Sequence, residues 1–263
     1  MKTIAELMNL SGRKALITGG AGHIGRAAAE TLAELGAQVV LMDLEIAACK
    51  AEAEKIGHGA MAFACDLAQE HDSRRTIRTA IEQMDGLDIL IHSAGYHGMS
   101  KTDGWAVPFE QQTLPAWEQA MRVNLNSAFV MSQEAQAAIS SSGHGSIIFI
   151  SSIYGVVAPD MSLYQGTKMA NPAAYNASKG GLLQLMRFLA SIMAPRVRVN
   201  AISPGGVWRN QPEIFRERYE KRTPLARMAI EEDIKGAVAY LAGDLSTYVT
   251  GHNLVVDGGW TAW

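Results

Sequence analysis

The amino-acid sequence predicts an α/β domain in which helices cover both faces of a seven-stranded parallel sheet, a doubly wound arrangement. Three observations predict it. Apolar, β-rich runs at 14–18, 38–43, 60–65, 87–93, 146–151, 197–203 and 253–257 alternate with helical patterns along the chain. Parallel neighbours need a crossover, so strand–helix–strand repetition of this kind builds a parallel sheet. Several runs are continuously apolar, as in Val39-Val40-Leu41-Met42 and Ile147-Ile148-Phe149-Ile150, which suits strands covered on both faces. The first run also passes directly into a glycine turn, Gly19-Gly20-Ala21-Gly22-His23-Ile24-Gly25, and then into an alanine-rich helix.

The individual elements follow from local signals. A helix over 24–35 is stopped by Gly36, and a long one over 173–194 is followed by Pro195. Asn171-Pro172 reads as an N-cap followed by proline in the first turn, where the N–H that proline lacks would have no partner. Three connections, 96–114, 153–171 and 204–224, exceed the usual few residues. Long loops beside the carboxyl ends of parallel strands are where such sheets bind ligands, and the prolines of 204–224 suit a lid. No linker or second composition regime interrupts the pattern, so residues 1–263 read as one domain.

Composition narrows the function classes. A net charge of −3, a pI near 6.2 and 48% hydrophobic residues describe an ordinary globular protein, with no basic excess for nucleic acid or anionic membranes. The first residues lack the apolar core of a signal peptide, and no apolar run approaches the ~20 residues of a membrane span. Cys49 and Cys65 stand outside any CxxC spacing, so neither a disulfide framework nor a thiol metal site is expected, and the compartment reads as cytoplasm. The histidines show no metal-ligand spacing; His58, His71, His97, His144 and His252 read as solvent-facing.

Two fragments hold the chemistry. Glycines between a strand and a helix let a pyrophosphate approach the helix N-terminus, whose N–H groups and dipole favour anions. Asp43 ends the next strand, where a carboxylate accepts hydrogen bonds from the adenosine ribose and repels a 2′-phosphate; Leu44 and Glu45 follow rather than a basic residue, which favours NAD over NADP. Far downstream stands Tyr175-Asn176-Ala177-Ser178-Lys179. A phenol of pKa near 10 is a poor acid–base group at neutral pH unless its phenolate is stabilised, and a lysine one helical turn on can supply that. Tyr164-Gln165-Gly166-Thr167-Lys168 has the same spacing. It precedes the expected helix start, however, and Gly166 weakens any helix joining the pair. Catalysis is therefore assigned to Tyr175, and Tyr164 to the substrate pocket or packing.

These residues resemble the short-chain dehydrogenase/reductase family over essentially the full length. Ser93-Ala94-Gly95, Val123-Asn124-Leu125, Ile150-Ser151-Ser152, Ser203-Pro204-Gly205-Gly206-Val207, Thr250-Gly251 and Val256-Asp257-Gly258-Gly259 agree with it. The resemblance implies a single-domain Rossmann fold, a homotetramer and roles position by position. Ser152 would hydrogen-bond the substrate oxygen and Tyr175 would be the acid–base. Lys179 would hold the nicotinamide ribose and lower the Tyr175 pKa, and Asn124 would anchor a water. Gly19, Gly22, Ile24, Gly25, Asp43, Asp66, Leu67, Ala94 and Gly95 would contact the dinucleotide, with Pro204, Gly205 and Val207 around the nicotinamide. The stretch from Ser152 through Asp160 and the 203–210 run resemble a sub-branch found with bacterial surface-sugar biosynthesis.

The sequence also departs from the family pattern. His23 stands where single-domain members usually have glycine, and His92 and Ser93 replace a usual pair of asparagines. The larger departure is the distance from Ser152 to Tyr175; Tyr164 lies where the family normally places its tyrosine.

The resulting expectation is an NAD(H)-dependent oxidoreductase interconverting a secondary alcohol and a ketone. The three loops supply Tyr96, His97, Lys101, Asp103, Tyr164, Gln165, Lys168, Asn171, Arg209, Asn210 and Gln211. So many donors point to a sugar-like small molecule, with Arg209 as a phosphate or carboxylate partner. A 3-oxoacyl or steroid-like carbonyl reductase is the enzymatic rival; a non-catalytic dinucleotide-binding sensor or structural subunit is the rival of another class. The charge run at 216–222 reads as a solvated helix face, and Trp105, Trp208, Trp260 and Trp263 as core or subunit-contact residues.

Overall fold

All seven predicted strands form, in one parallel sheet: β1 Lys14–Thr18, β2 Gln38–Asp43, β3 Met61–Ala64, β4 Ile89–His92, β5 Gly145–Ile150, β6 Val197–Pro204 and β7 Asn253–Val256. The structure is a computed structural model that describes residues 1–96 and 102–263. Strand order is β3-β2-β1-β4-β5-β6-β7, so the crossovers leave β1 in opposite directions. The crevice between β1 and β4 at their carboxyl ends is the switch point where such sheets bind ligands.

The continuously apolar strands are explained by two cores, one on each face. Successive side chains point to opposite faces. Leu16, Val40, Leu90, Ile147, Phe149 and Val199 therefore meet one helical layer, which includes Ile77, Met131, Leu182 and Met186. Their neighbours Ala15, Ile17, Leu41, Ile91, Ile148 and Ile202 meet the other, with Leu32, Ile234, Val238 and Leu241. The first layer is α4 Glu70–Met84, α6 Ser127–Ser141 and α7 Ala173–Met193; the second is α2 His23–Glu34, α3 Ile46–Ile56 and α9 Glu232–Ala242. A short α1, Ile4–Met8, precedes β1, α5 spans Leu114–Met121 and α8 spans Glu213–Arg222. Cys65 is buried in the first core and Cys49 in the second, both as free thiols. Burial pushes them up to about 11 and about 12. Among the described residues no helix is long and apolar enough to cross a membrane, and no cluster of three metal-ligating side chains forms.

The loops differ from expectation. The 204–224 stretch is not an open lid: Val207 pairs with Ala229, and half the segment is α8. The 153–171 stretch contains two short 3₁₀ turns, Ile153–Gly155 and Met161–Tyr164. The charge run on α8 is not merely solvated. The Arg218 Nη1 donates to the carbonyls of Ser162 and Leu163, and the Arg222 Nη1 lies 3.1 Å from Asp160 Oδ2. Arg218 and Arg222 thus hold the long insertion down. Trp105 and Trp260 are core residues, Trp260 stacking on Tyr219 with ring centroids 4.4 Å apart, whereas Trp263 is exposed. Of the sequence candidates, His97 and Lys101 lie outside the described residues.

His92, in an asparagine's usual place, links three elements. Its Nδ1 lies 2.6 Å from Thr18 Oγ1 on β1 and its Nε2 2.9 Å from Ser127 Oγ on α6. Burial, with the nearby Lys179 ammonium, lowers the imidazole from 6.5 to about 3. A folded value below the unfolded one means that the neutral ring stabilises the fold fully above pH 6.5, and that this contribution is lost as pH falls toward 3. The variant His92→Asn is expected to flatten the acid side of the stability profile by about 1.4 kcal/mol per pH unit between pH 5.5 and 4. Urea unfolding at several pH values checks this, and parallel profiles for the two proteins would contradict it.

Candidate active site

The site lies along the carboxyl ends of the strands, beginning at the glycine turn after β1. Gly19 has φ +64°, and a Cβ there would stand 2.7 Å from the Ala94 backbone; at Gly25 a Cβ would overlap the Gly19 carbonyl oxygen. The turn can close against β4 only because both side chains are missing. Gly22 is the N-cap of α2 and offers no side-chain cap, so no side chain competes there for the first-turn N–H groups around Ile24. This cradle fits an anionic group such as a dinucleotide pyrophosphate.

The other predicted dinucleotide positions gather along the same edge. Asp43 ends β2, its Oδ2 accepting from the Ala21 N–H at 3.1 Å and its Oδ1 from Leu44 at 2.8 Å. Asp66 follows β3 and accepts from the Ala68 N–H at 2.9 Å, with Leu67 buried beside it. Ala94 and Gly95 follow β4. Pro204 closes β6, the Gly205 N–H donates to the Val256 carbonyl at 2.9 Å, and Val207 bridges to Ala229.

Ser152, Tyr175, Lys179 and Asn124 also come together. The helix that supplies two of them, α7, begins one residue later than the sequence suggested: Pro172, not Asn171, is its N-cap. It includes Tyr175 and Lys179, whereas Tyr164 sits in a separate 3₁₀ turn. Ser152 Oγ caps the turn after β5, accepting from the Tyr154 N–H at 3.1 Å, and lies near enough to the Tyr175 phenol to influence its titration. The Lys179 Nζ is buried, donates to the Ile150 carbonyl at 2.8 Å and lies 5.8 Å from the Tyr175 ring centroid. Burial lowers the ammonium to about 8. Asn124 is fully buried and donates to Ser178 Oγ at 2.9 Å, while its Oδ1 accepts from the Tyr96 N–H. It occupies a π-helical turn, Arg122–Asn126, between α5 and α6. Such turns insert one extra residue and occur often at functional sites.

Two expectations need correction. Tyr175 is raised, not lowered: burial pushes the phenol up, the nearby Tyr164 adds to this, and the neighbouring Ser152 hydroxyl opposes it. Arg209 does not offer an unengaged guanidinium, because its Nη1 lies 3.0 Å from Glu231 Oε1 and donates to the Trp208 carbonyl at 2.7 Å. The same Glu231 oxygen is 2.9 Å from His23 Nδ1. One carboxylate therefore ties the 204–224 segment to the start of α2, and sequence reading missed it because nothing local marks Glu231.

Gly155 was missed as well. A Cβ there would stand 2.7 Å from the Lys179 carbonyl oxygen, and Ser151 Oγ donates to that carbonyl at 2.9 Å. This close crossing presses α7 onto the turn that bears Ser152. Tyr164 is near Tyr175 but not bonded to Ser152; its hydroxyl lies 3.1 Å from that of Tyr154 and accepts from Asn171 Nδ2 at 3.2 Å.

Comparison with known proteins agrees with this geometry. A family model described as enoyl-(acyl carrier protein) reductase matches residues 19–261. The chain is similar to the sorbose reductase of Schizosaccharomyces pombe, 32% identical over 98% of this chain and 99% of that protein. It is 31% identical to an L-rhamnose 1-dehydrogenase (NAD(P)(+)) of a Sphingomonas species, covering 95% and 96% of the two chains. A short-chain dehydrogenase from Leptospira borgpetersenii, solved with bound NAD+, superposes with a TM-score of 0.86 at 32% identity, over 99% of this chain and 96% of that one. The chain belongs to the short-chain dehydrogenase/reductase family and is an oxidoreductase that interconverts alcohols and ketones with a nicotinamide cofactor.

Proposed function

We propose that the protein is an NAD(H)-dependent dehydrogenase/reductase of sugar-like, polyhydroxylated substrates, with Ser152, Tyr175 and Lys179 as catalytic residues and Asn124 as their anchor. The single observation that supports this most is the buried Lys179 ammonium, held by the Ile150 carbonyl at 2.8 Å and 5.8 Å from the Tyr175 ring, at the end of the strand that carries Ser152. When bound, the nicotinamide supplies or accepts the hydride. Gly19, Gly22, Ile24, Gly25, Asp66, Leu67, Ala94 and Gly95 would hold the dinucleotide, with Pro204, Gly205 and Val207 near the nicotinamide and Asp43 at the adenosine ribose. A Cβ on Gly95 would be 3.6 Å from the Lys179 Nζ. The bare glycine thus leaves the ammonium accessible to ribose hydroxyls.

The chain's own residues handle the proton. In reduction Ser152 donates to the substrate oxygen and Tyr175 delivers its proton there; burial keeps the phenol protonated at neutral pH, as a donor must be. In oxidation Tyr175 takes that proton back, and the Lys179 ammonium offsets the charge of the phenolate. Asn124, held by Ser178 and Tyr96, would anchor the water that links Lys179 to solvent. The same reading takes the protein as a cytoplasmic homotetramer. Phe129, Phe188 and Ile192 are 46%, 55% and 54% exposed on α6 and α7 and offer an apolar face for subunit contact.

Sugar preference draws on the sorbose and rhamnose enzymes among the relatives. The acyl reading has its own observations: the description of the family model, and the apolar side chains of Val107, Pro108, Phe109 and Met161 in the cavity near Tyr164. Comparing kcat/KM for hexitols and ketoses with that for 3-oxoacyl thioesters decides between them. Preference for the polyhydroxylated compounds is expected, and preference for the thioesters would reverse the assignment while leaving the hydride chemistry intact.

Replacing the acid–base group separates the two tyrosines. Tyr175→Phe is expected to lower kcat by roughly 10²–10⁴ with NADH affinity retained, and Tyr164→Phe to change it less than about tenfold. Steady-state kinetics with NADH titration reads both, and a dead Tyr164→Phe would shift the assignment. Asp43 facing the glycine turn should also make NADH bind at least about tenfold more tightly than NADPH, a difference of roughly 1.4 kcal/mol. Fluorescence titration of the two cofactors measures this, and equal affinities would contradict it.

A further inference from the structure

The segment after β6 carries a guanidinium back to the start of α2. The Val207–Ala229 bridge is parallel, so Arg209 and Glu231, each two residues further on, come to stand opposite each other. The backbone there is pinned: the Trp208 N–H donates to the Ala229 carbonyl at 2.8 Å and the Ala229 N–H to the Gly206 carbonyl at 2.9 Å. Gln211 closes the same knot, its Nε2 donating to the Val207 carbonyl at 2.9 Å and its Oε1 accepting from the Arg209 N–H at 2.6 Å. Glu231 Oε1 lies 3.0 Å from Arg209 Nη1 and 2.9 Å from His23 Nδ1. His23 is the first residue of α2, so Arg209 stands at the helix end that forms the pyrophosphate cradle.

Only one nitrogen of that guanidinium is engaged. Nη1 faces Glu231 and donates to the Trp208 carbonyl, whereas Nε and Nη2 donate to no acceptor among the described residues. Those two nitrogens form the side edge of the guanidinium, whose parallel N–H pair grips a phosphate or carboxylate. The side chain is 25% exposed and neither nitrogen is among the buried unpartnered atoms, so this edge is open to solvent. A second cation is close by. Burial lowers the Arg209 guanidinium from its ordinary value, Glu231 opposes this, and Arg26 on α2 adds to it. An anion at the open edge relieves the repulsion between the two arginines.

We propose that Arg209 is a dinucleotide-binding residue: its Nε–Nη2 edge closes on the pyrophosphate at the start of α2, at the phosphate nearer the nicotinamide, and Glu231 positions it. A carboxylate on the substrate offers the same chemistry, but the placement favours the dinucleotide. Arg209 follows directly on Pro204, Gly205 and Val207, the residues assigned to the nicotinamide, while Glu231 ties it to the helix end assigned to the pyrophosphate. The group that spans those two ends of the crevice is the phosphate between them. Glu231 holds the arginine by one nitrogen and leaves the fork free, so the bound cofactor has less side-chain motion to freeze than a loose arginine would impose. The proposal rests on the dinucleotide placement given above.

The test measures dissociation constants of NADH by fluorescence, and of ADP-ribose and AMP by displacement of NADH, in wild type, Arg209→Gln and Arg209→Lys. AMP lacks the phosphate assigned to Arg209. In Arg209→Gln, NADH and ADP-ribose are expected to weaken at least about tenfold while AMP stays within about twofold. Arg209→Lys keeps a cation beside Glu231 and loses the fork, so it carries the test should Arg209→Gln fold poorly; a loss of at least about threefold for NADH and ADP-ribose is expected there. Unchanged affinities would overturn the contact, and a rise in KM for an anionic sugar acid with NADH affinity intact would give the edge to the substrate instead. Equal weakening of all three ligands would mean that the substitution acts by loosening the glycine turn, and would also overturn it. If wild type binds neither NADH nor ADP-ribose, the dinucleotide placement itself has failed and takes the contact with it.

Discussion

A single buried ammonium constrains the active-site half of the fold. Lys179 is only 3% exposed, and a charge so placed costs several kcal/mol unless polar groups surround it. The carbonyl at the end of β5 accepts a hydrogen bond from it at 2.8 Å, which fixes α7 in height and rotation against the sheet. Small residues make that contact possible. Gly155 lets the Ser152 turn touch the α7 backbone, and Gly181 lets α7 reach Leu125, beyond which a Cβ would stand 2.7 Å from a leucine methyl. Tyr175, one turn earlier on the same helix, is positioned as a consequence.

A second constraint acts at the dinucleotide end. The glycine turn is compressed between Ala94 and its own helix, and Glu231 reaches it from the far side through His23 while also engaging Arg209. The histidine that departs from the usual family glycine therefore has a partner of its own. It joins the turn to the segment that follows β6, so the two ends of the crevice share one carboxylate.

The strands were legible because their signal is local. A run such as Ile147-Ile148-Phe149-Ile150 has one interpretation when both faces are covered, and all seven runs lie within two residues of the observed bounds. The start of α7 was legible to one residue from Asn171-Pro172. What the sequence hid depends on tertiary partners. The π turn at Asn124 has no residue signature, since its extra residue is stabilised by Ser178 and Tyr96 from other elements. Arg218 and Arg222 looked like surface charge because their acceptors in the insertion lie more than 50 positions away. Arg209 looked available because Glu231 is distant in sequence. Part of the loop polarity is internal for the same reason: Gln112 and Tyr164 accept hydrogen bonds from Ala173 and Asn171.

The two cysteines have a consequence of their own. With values near 11 and 12, only about one thiol in 10⁴–10⁵ is ionised at pH 7, and the thiolate is the reactive form. Oxidants and alkylating reagents in solution therefore meet inert sulfur while the chain stays folded, and labelling waits on opening. Because Cys65 belongs to one core and Cys49 to the other, each thiol acts as a clock for one layer. Unequal labelling rates would mean that the α4–α6–α7 and α2–α3–α9 layers breathe separately; equal rates would mean that they open as one cooperative unit.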